Sequence, residues 1–314
     1  MPRIAALTMN PTIDVSYDIE EMRHTRKMRT SNEIYAPGGG GINVARVIRR
    51  LGTHALNFYL SGGVTGATLA GLLAEHGLAC CPIPIAGPVR IAAAAHELST
   101  GKEYRFTPAG PNVTEAEAKA CLATLAQAEA QGLSALVLSG SLPPGVPVDF
   151  YARAAAQAGA SGVPVALDTS GPALAASVAA GGLWVIKPSQ GELEQLAGRK
   201  LATISAIGEA AAEIVAAGKV RLVAVTMGHR GALLARAEGV LHLPAPYVEA
   251  KSAVGAGDSF LAGMIHALLS GRDEEDAFRY GLAAGSAAVL TPGNNLALPD
   301  DIERLYAEIA AAPG

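Results

Sequence analysis

Short apolar runs alternate with longer helix-patterned segments along most of this chain, and that alternation limits its fold more than any other feature. "RIAALTM" (3–9), "ALNFYL" (55–60), "ALVLSG" (135–140), "VPVALD" (163–168), "LWVI" (183–186) and "RLVAVT" (221–226) are short and almost wholly apolar. Each reads as a strand buried on both faces. Helical spacing occupies the intervals, over 41–52, 64–76, 115–131, 148–159, 190–197 and 205–217. Thr114 and Glu117 form a capping-box pattern at the head of one of these. Strands that alternate with helices pair in parallel, and the crossover helices cover both sheet faces. The predicted fold class is α/β with a mostly parallel sheet. "GALLARAEGVLHLPAP" (231–246) reads as a hairpin, and helices over 257–270, 274–290 and 299–311 close the chain.

Two segments break the alternation. Residues 15–35 and 88–107 hold polar and alternating stretches such as "VSYDIEEM" and "GKEYRF". Structureless loops of that length are uncommon unless functional. They read as antiparallel strands of a small flap inserted in one continuous domain spanning 1–314. Half of the 314 residues are hydrophobic and 17% are charged, which suits a large core. The formal net charge of -4, without a basic block, argues against a nucleic-acid partner. Cys80, Cys81 and Cys121 are odd in number and two are adjacent, a poor basis for a disulfide framework or a zinc site. A reducing cytoplasm fits this usage. The opening "MPRIAALTMNPTID" turns polar too soon for a signal peptide, and no apolar stretch reaches membrane-span length.

Two glycine motifs point to the chemistry. "PGGGG" (37–41) runs directly into "INVARVIRRLG". Glycines in series cost backbone entropy and are kept where the chain turns tightly or approaches a ligand. A helix starting behind them offers free N–H groups to an anion; a plain flexible turn is the other reading. In "VGAGDSFLAGM" (254–264), Gly255, Ala256 and Gly257 let N–H groups converge ahead of a helix and form an anion hole. Asp258 beside that hole would repel a phosphate. It is either a general base that deprotonates a hydroxyl attacking a held phosphoryl group, or an N-cap satisfying helix amides. No Lys-Ser/Thr follows these glycines, so this is not a Walker A loop. None of the seven histidines has metal-ligand spacing, and no serine sits in a G-x-S-x-G elbow. No G-x-G-x-x-G follows the first strand, which removes the main support for a dinucleotide oxidoreductase.

Together the two motifs resemble the signatures of the PfkB family of sugar kinases, within the ribokinase-like superfamily. "PGGGGINVARVIRRLG" (37–52) matches the early signature and "VGAGDSFLAGM" the late one. "LSGSLPPGV" (138–146), "DTSG" (168–171), "IKPSQGELEQLAG" (186–198) and "VTMGHRGALL" (225–234) fall between them in the family's order, so the resemblance covers nearly the whole chain. It implies a three-layer sandwich with a small β-sheet lid, and a cytoplasmic ATP-dependent kinase. "LTMNPTIDVSYDI" and "SGSLPPG" resemble the branch acting on phosphorylated hexoses. Members acting on fructose 1-phosphate or tagatose 6-phosphate commonly read GGKG, where this chain has Gly40. With "GKEYRFTPAGP" (101–111), that departure resembles the 6-phosphofructokinase type most. The expected reaction is fructose 6-phosphate to fructose 1,6-bisphosphate. The alternatives are a 1-phosphofructokinase, a tagatose-6-phosphate kinase, a ribose or nucleoside kinase, or a sugar-phosphate sensor without activity. An intact Asp258 speaks against the last.

The resemblance also implies roles. Asp258 would be the base, with Gly255, Ala256 and Gly257 as the anion hole. Asp14, Gly38, Gly39 and Asn43 would bind sugar hydroxyls. Lys27, Arg90 and Arg105 would bind the sugar's phosphate, joined by the Ser139 hydroxyl. Lys187, Ser189, Glu192, Thr226, Gly228 and Ser286 would serve the nucleotide. Glu192 would hold magnesium through water. The family usually has asparagine where Ser189 stands, so a shorter side chain takes that place. Ser252, Val254, Ala288 and Gly293 would offer oxygens to a potassium-like cation, although Thr291 and Asn295 replace the asparagine and arginine of the resembled kinase. A homodimer joined through the lid is expected, with neither nucleic acid nor membrane as a partner.

Overall fold

The computed structural model describes residues 3–311. The chain begins β1 (Arg3–Thr8), β2 (Thr12–Ile19), β3 (Thr30–Gly38), α1 (Gly40–Arg50), β4 (His54–Ser61), α2 (Gly63–Glu75), β5 (Ala79–Pro84), β6 (Arg90–Glu97) and β7 (Lys102–Phe106). It continues α3 (Glu115–Ala130), β8 (Ala135–Ser139), α4 (Phe150–Ala160), β9 (Val165–Asp168), α5 (Gly171–Ala180), β10 (Leu183–Ile186), α6 (Gln190–Ala197), α7 (Ile204–Ala216) and β11 (Val220–Thr226). The hairpin β12 (Ala232–Arg236) and β13 (Gly239–Leu243) precedes α8 (Ala256–Leu269), α9 (Glu274–Ala288) and α10 (Pro299–Ala311).

Nine strands form one sheet in the order β13-β12-β11-β10-β9-β8-β1-β4-β5. All pairs from β5 to β11 are parallel, and the β11–β12 and β12–β13 pairs are antiparallel. Successive strand residues feed opposite cores, as the period of two requires. Ile4 and Ala6 pack with α1, α8 and α9, whereas Ala5 and Leu7 pack with α3, α4 and α7. Apolar runs without polar alternation are therefore what this sheet needs, and the three-layer α/β expectation holds.

The smaller sheet has the order β3-β2-β6-β7. Its central pair, β2 and β6, is parallel, which corrects the expectation of a wholly antiparallel flap. The reason is connectivity. β2 and β6 follow on β1 and β5, which run the same way in the main sheet, so both leave the body in one direction. Asp14 lies opposite Ala36 on one side and Ala92 on the other, and Arg105 lies opposite Ala94. Among the described residues no helix is long and apolar enough to cross a membrane. The three cysteines are free.

β5 and α5 escape the sequence patterns. β5 reads "ACCPIP", and its two prolines are tolerated because it is an edge strand. α5 opens Gly-Pro and continues in small residues, leaving little amphipathic contrast.

Candidate active site

The site forms where the carboxyl ends of β1, β8, β9 and β10 meet the first turns of α1 and α8, the usual place for ligands in an open parallel sheet. The four glycines let α1 start hard against these strand ends. A Cβ on Gly38 would stand 2.0 Å from Asp14 Oδ2, and one on Gly40 would stand 2.2 Å from Ser139 Oγ. Thr8, at the end of β1, accepts a hydrogen bond from the Ile42 amide at 2.8 Å and so fixes the helix entry. Asn43, buried one turn into α1, donates through Nδ2 to Asp258 Oδ2 at 2.8 Å.

Asp258 is the third residue of α8. The helix is capped by Gly255, in the left-handed region at φ 71°, with no side-chain cap. The N-cap reading of Asp258 therefore fails, and its carboxylate turns instead to Asn43. Lys187, 5% exposed just beyond β10, pairs with Asp168 at the end of β9, Nζ to Oδ2 3.2 Å. A Cβ on Gly257 would stand 3.1 Å from that Nζ, so the ammonium lies beside the glycine turn. Burial pushes the Asp258 carboxyl up to about 6. The charge of Asp168 adds to this, the Asn43 hydrogen bond and Lys187 oppose it, and Asp14 adds a smaller upward push. Burial also raises Asp168, against the pull of Lys187. Burial works against the charge of Lys187, but Asp168, Asp258 and Glu192 outweigh it and the lysine is raised. A carboxylate poised near neutrality, beside a cation and converging backbone amides, can accept a proton from a hydroxyl as that hydroxyl attacks a phosphoryl group.

A cavity of about 210 Å³ separates the small sheet from the body. Thr12, Asp14, Ser16, Ala92, Ala94 and Arg105 line it from the lid, and Val254, Gly293, Asn294 and Asn295 from the body. Asn294 Nδ2 donates to Asp14 Oδ2 at 2.8 Å. Burial raises the Asp14 carboxyl, held back by Thr12, Arg90, Asn294 and Arg46. Ser139 Oγ and Asn294 Oδ1 are buried without a hydrogen-bond partner among the described residues, so both can still serve a ligand. A second cavity of about 590 Å³ adjoins the first, with Thr107 lining both.

The three cations expected on a phosphate are not assembled in the single chain. Arg105 lines the smaller cavity with its guanidinium paired to Glu103. Arg90 lines the larger one, and its guanidinium donates to Pro108 O at 2.8 Å and Asn10 O at 3.0 Å. Lys27 is exposed in the loop between β2 and β3 and lines neither cavity.

On the nucleotide side, Ser189 and Glu192 form a capping box on α6. Ser189 Oγ donates to Glu192 Oε2 at 2.9 Å and accepts from the Glu192 amide at 3.3 Å. The S-x-x-E spacing was itself a signal for this cap. Ser189 bridges to Thr226 at the end of β11, Gly228 follows at φ 59°, and Ser286 is buried in α9. The 252–254 turn meets the loop after α9, where Lys251 and Ser252 donate to Val289 O. The Ala288 carbonyl already accepts from the Thr291 amide at 3.2 Å and hydroxyl at 2.9 Å. The Thr291 hydroxyl also lies 3.2 Å from Leu296 O, which ties the Ala288 carbonyl into the same loop. No cluster of three or more His, Cys, Asp or Glu that could hold a metal occurs among the described residues.

Sequence reasoning assigned nothing to Asp168, Asn294, Arg46 or Thr8. Asp168 had a usable signal, an acid at the end of a buried strand. Asn294 had none, since it reaches Asp14 across 280 residues.

The model of the pfkB family carbohydrate kinases matches residues 6–301. ATP-dependent 6-phosphofructokinase isozyme 2 of Mycobacterium tuberculosis is 40% identical over 99% of this chain and 91% of its own length. 1-Phosphofructokinase of Rhodobacter capsulatus is 36% identical over 96% of this chain and 95% of its own. The crystal structure of phosphofructokinase-2 from Escherichia coli with potassium matches at a TM-score of 0.92 and 35% identity, covering 99% of this chain and 100% of that one. The same enzyme with fructose 6-phosphate matches at 0.90 and 35% identity, and its tetrameric inhibited form at 0.90 and 34%, with the same coverage of both chains.

Proposed function

This chain belongs to the pfkB family of carbohydrate kinases, and we propose that it is an ATP-dependent 6-phosphofructokinase, transferring the γ-phosphoryl group to the carbon-1 hydroxyl of fructose 6-phosphate. The observation that carries this reading is Asp258. Its carboxylate is not a helix cap, is oriented by Asn43, and is raised to about 6 beside the Gly255–Gly257 turn. It takes the hydroxyl's proton while the backbone amides of the turn and Lys187 stabilise the charge developing on the transferring group.

Asp14, Gly38, Gly39 and Asn43 bind the sugar's hydroxyls, and the Ser139 hydroxyl adds a contact to the sugar phosphate. Asn294, which lines the smaller cavity, and Ser139, beside Gly40, support this with buried oxygens that have no hydrogen-bond partner among the described residues. Arg105 and Arg90 receive the 6-phosphate, since arginine's two-pronged donors match phosphate oxygens. Each must first leave its present partner, Glu103 for Arg105 and the Pro108 and Asn10 carbonyls for Arg90. Lys27 joins them only if the lid moves or a second subunit supplies its position.

Lys187, Thr226, Gly228 and Ser286 line the nucleotide site. Magnesium fits a site that lacks a preformed protein cage, because it is held chiefly by the nucleotide's phosphates and by one or two carboxylates. Glu192, with one oxygen left over from the cap, would hold it through water. Bound there, magnesium neutralises phosphate charge. Potassium would rest on oxygens of Ser252, Val254, Ala288 and Gly293. The outward face of the lid exposes Tyr35, Ile91 and Phe106, at 59%, 47% and 50%, which supports a homodimer joined through the lid. Such an enzyme works in the cytoplasm, where ATP and sugar phosphates meet.

A 1-phosphofructokinase is the competing reading, favoured by the 36% identity to the Rhodobacter enzyme. Gly40 speaks against it. Any side chain there would displace Ser139, whose free hydroxyl faces the same glycine loop. Initial rates with fructose 6-phosphate, fructose 1-phosphate, tagatose 6-phosphate and ribose separate these. The proposal requires the highest kcat/KM with fructose 6-phosphate. A higher value with fructose 1-phosphate would replace it.

A further inference from the structure

Arg46 is 4% exposed, and burying a guanidinium is costly unless its surroundings repay it. Its partners are three neutral oxygens. Nη1 donates to Pro37 O at 3.2 Å and to Asn43 Oδ1 at 3.3 Å, and Nη2 donates to Asn294 O at 3.2 Å. Nε has no partner among the described residues. Each acceptor leads to a carboxylate of the site. Asn43 holds Asp258, Asn294 holds Asp14, and Pro37 precedes Gly38, on whose α-carbon the Asp14 carboxylate packs.

We propose that Arg46 is a positioning residue that sets Asp258 and Asp14 in register with each other, through the two asparagines and the Pro37 carbonyl. The inference rests on the kinase reading above. A guanidinium can only donate, so the Asn43 atom facing it must be the amide oxygen, and the NH2 group is left for Asp258. By holding the Asn294 carbonyl, the same group anchors the loop whose side chain reaches Asp14. One planar fork thus fixes the base on α8, a helix of the body, and the sugar-binding acid on β2, a strand of the small sheet. Its charge also faces both. Burial and Arg50 lower the Arg46 guanidinium to about 10, while Asp14 and Asp258 raise it, and it stays charged at neutral pH. His76, at the end of α2, feels the same positive charge. Asp258 in turn is faced by Asp168, Lys187 and Asp14.

The test compares wild type, Arg46→Lys and Arg46→Met from pH 5 to 9 with fructose 6-phosphate and ATP. Lysine keeps the charge but cannot serve three oxygens in one plane. A misplacement of this kind costs up to about 10²-fold. In Arg46→Lys, kcat should fall on the order of 10- to 100-fold and KM for the sugar phosphate should rise. KM for ATP should stay within about 2-fold, and the acid limb of the kcat profile should not move. In Arg46→Met the charge is gone, so the acid limb should also shift to higher pH. If Arg46→Met does not fold, Arg46→Lys decides. A folded Arg46→Lys with kcat and sugar KM within about 2-fold of wild type would overturn the inference, as would KM for ATP rising in step with that for the sugar. If wild type does not turn over fructose 6-phosphate, it is the 6-phosphofructokinase reading that fails. The NMR titration of the Asp258 carboxyl then decides separately, because it must move to higher pH in Arg46→Met and an unchanged midpoint contradicts the role.

Discussion

Asp258 shows what its surroundings do to one carboxyl. Asparagine keeps its size but cannot accept a proton, and loss of a general base costs about 10²–10⁴-fold in rate. Asp258→Asn should lower kcat by that range in steady-state assays, with ATP and sugar-phosphate binding preserved in calorimetry. A variant within a few-fold of wild type would remove Asp258 as the base. The wild-type profile carries a second expectation. The base works only when ionised, and burial raises it to about 6, so kcat should fall as pH drops through about 6 rather than through the ordinary 3.8. The stability effect has the opposite sign. A carboxyl raised in the folded state binds its proton more tightly there than in the unfolded chain. Its ionisation therefore costs stability as pH rises from about 4 to above 6. Asp258→Asn should consequently melt no lower than wild type at pH 7.5. A large drop in melting temperature would mean that the ionised carboxylate supports the fold.

The elements differ in how far their sequences reveal them. The six apolar strands were legible because burial on both faces leaves no polar alternation, and α3 because Thr114 and Glu117 cap it as their spacing suggests. β5 and α5 were not, since an edge strand admits proline and a small-residue helix carries little contrast. The glycine run before α1 announced a close approach but not to what. The structure answers that Gly38 faces Asp14 and Gly40 faces Ser139. Neither needs a positive φ, so space alone forbids a side chain there. Gly38→Ala should therefore displace the Asp14 carboxylate while leaving α1 intact. We expect kcat/KM for the sugar phosphate to fall at least ~10-fold, with KM for ATP within ~2-fold. Equal losses for both substrates would show a collapsed site instead. The Asp14–Asn294 and Asn43–Asp258 bonds were beyond sequence reasoning, because they join residues 280 and 215 positions apart.

At the scale of the whole molecule, the two cores divided by one sheet form the body, and the small sheet stands off it across a cavity. Exposed Tyr35, Ile91 and Phe106 on that sheet need a cover. Sedimentation velocity at micromolar concentration should show a dimer, and Phe106→Glu should shift it toward monomer. A fully active wild-type monomer would exclude the lid as an interface. The central claim is that this molecule brings the carbon-1 hydroxyl of fructose 6-phosphate to the Asp258 carboxylate and the ATP γ-phosphate to the adjoining amides. It is tested most directly by supplying wild-type protein with carbon-1-labelled fructose 6-phosphate, ATP and magnesium and following the product by NMR. The account predicts fructose 1,6-bisphosphate, with carbon–phosphorus coupling at the labelled carbon and one ADP formed per bisphosphate. ADP formed without that coupling, or no turnover of fructose 6-phosphate where another sugar phosphate is consumed, would contradict it.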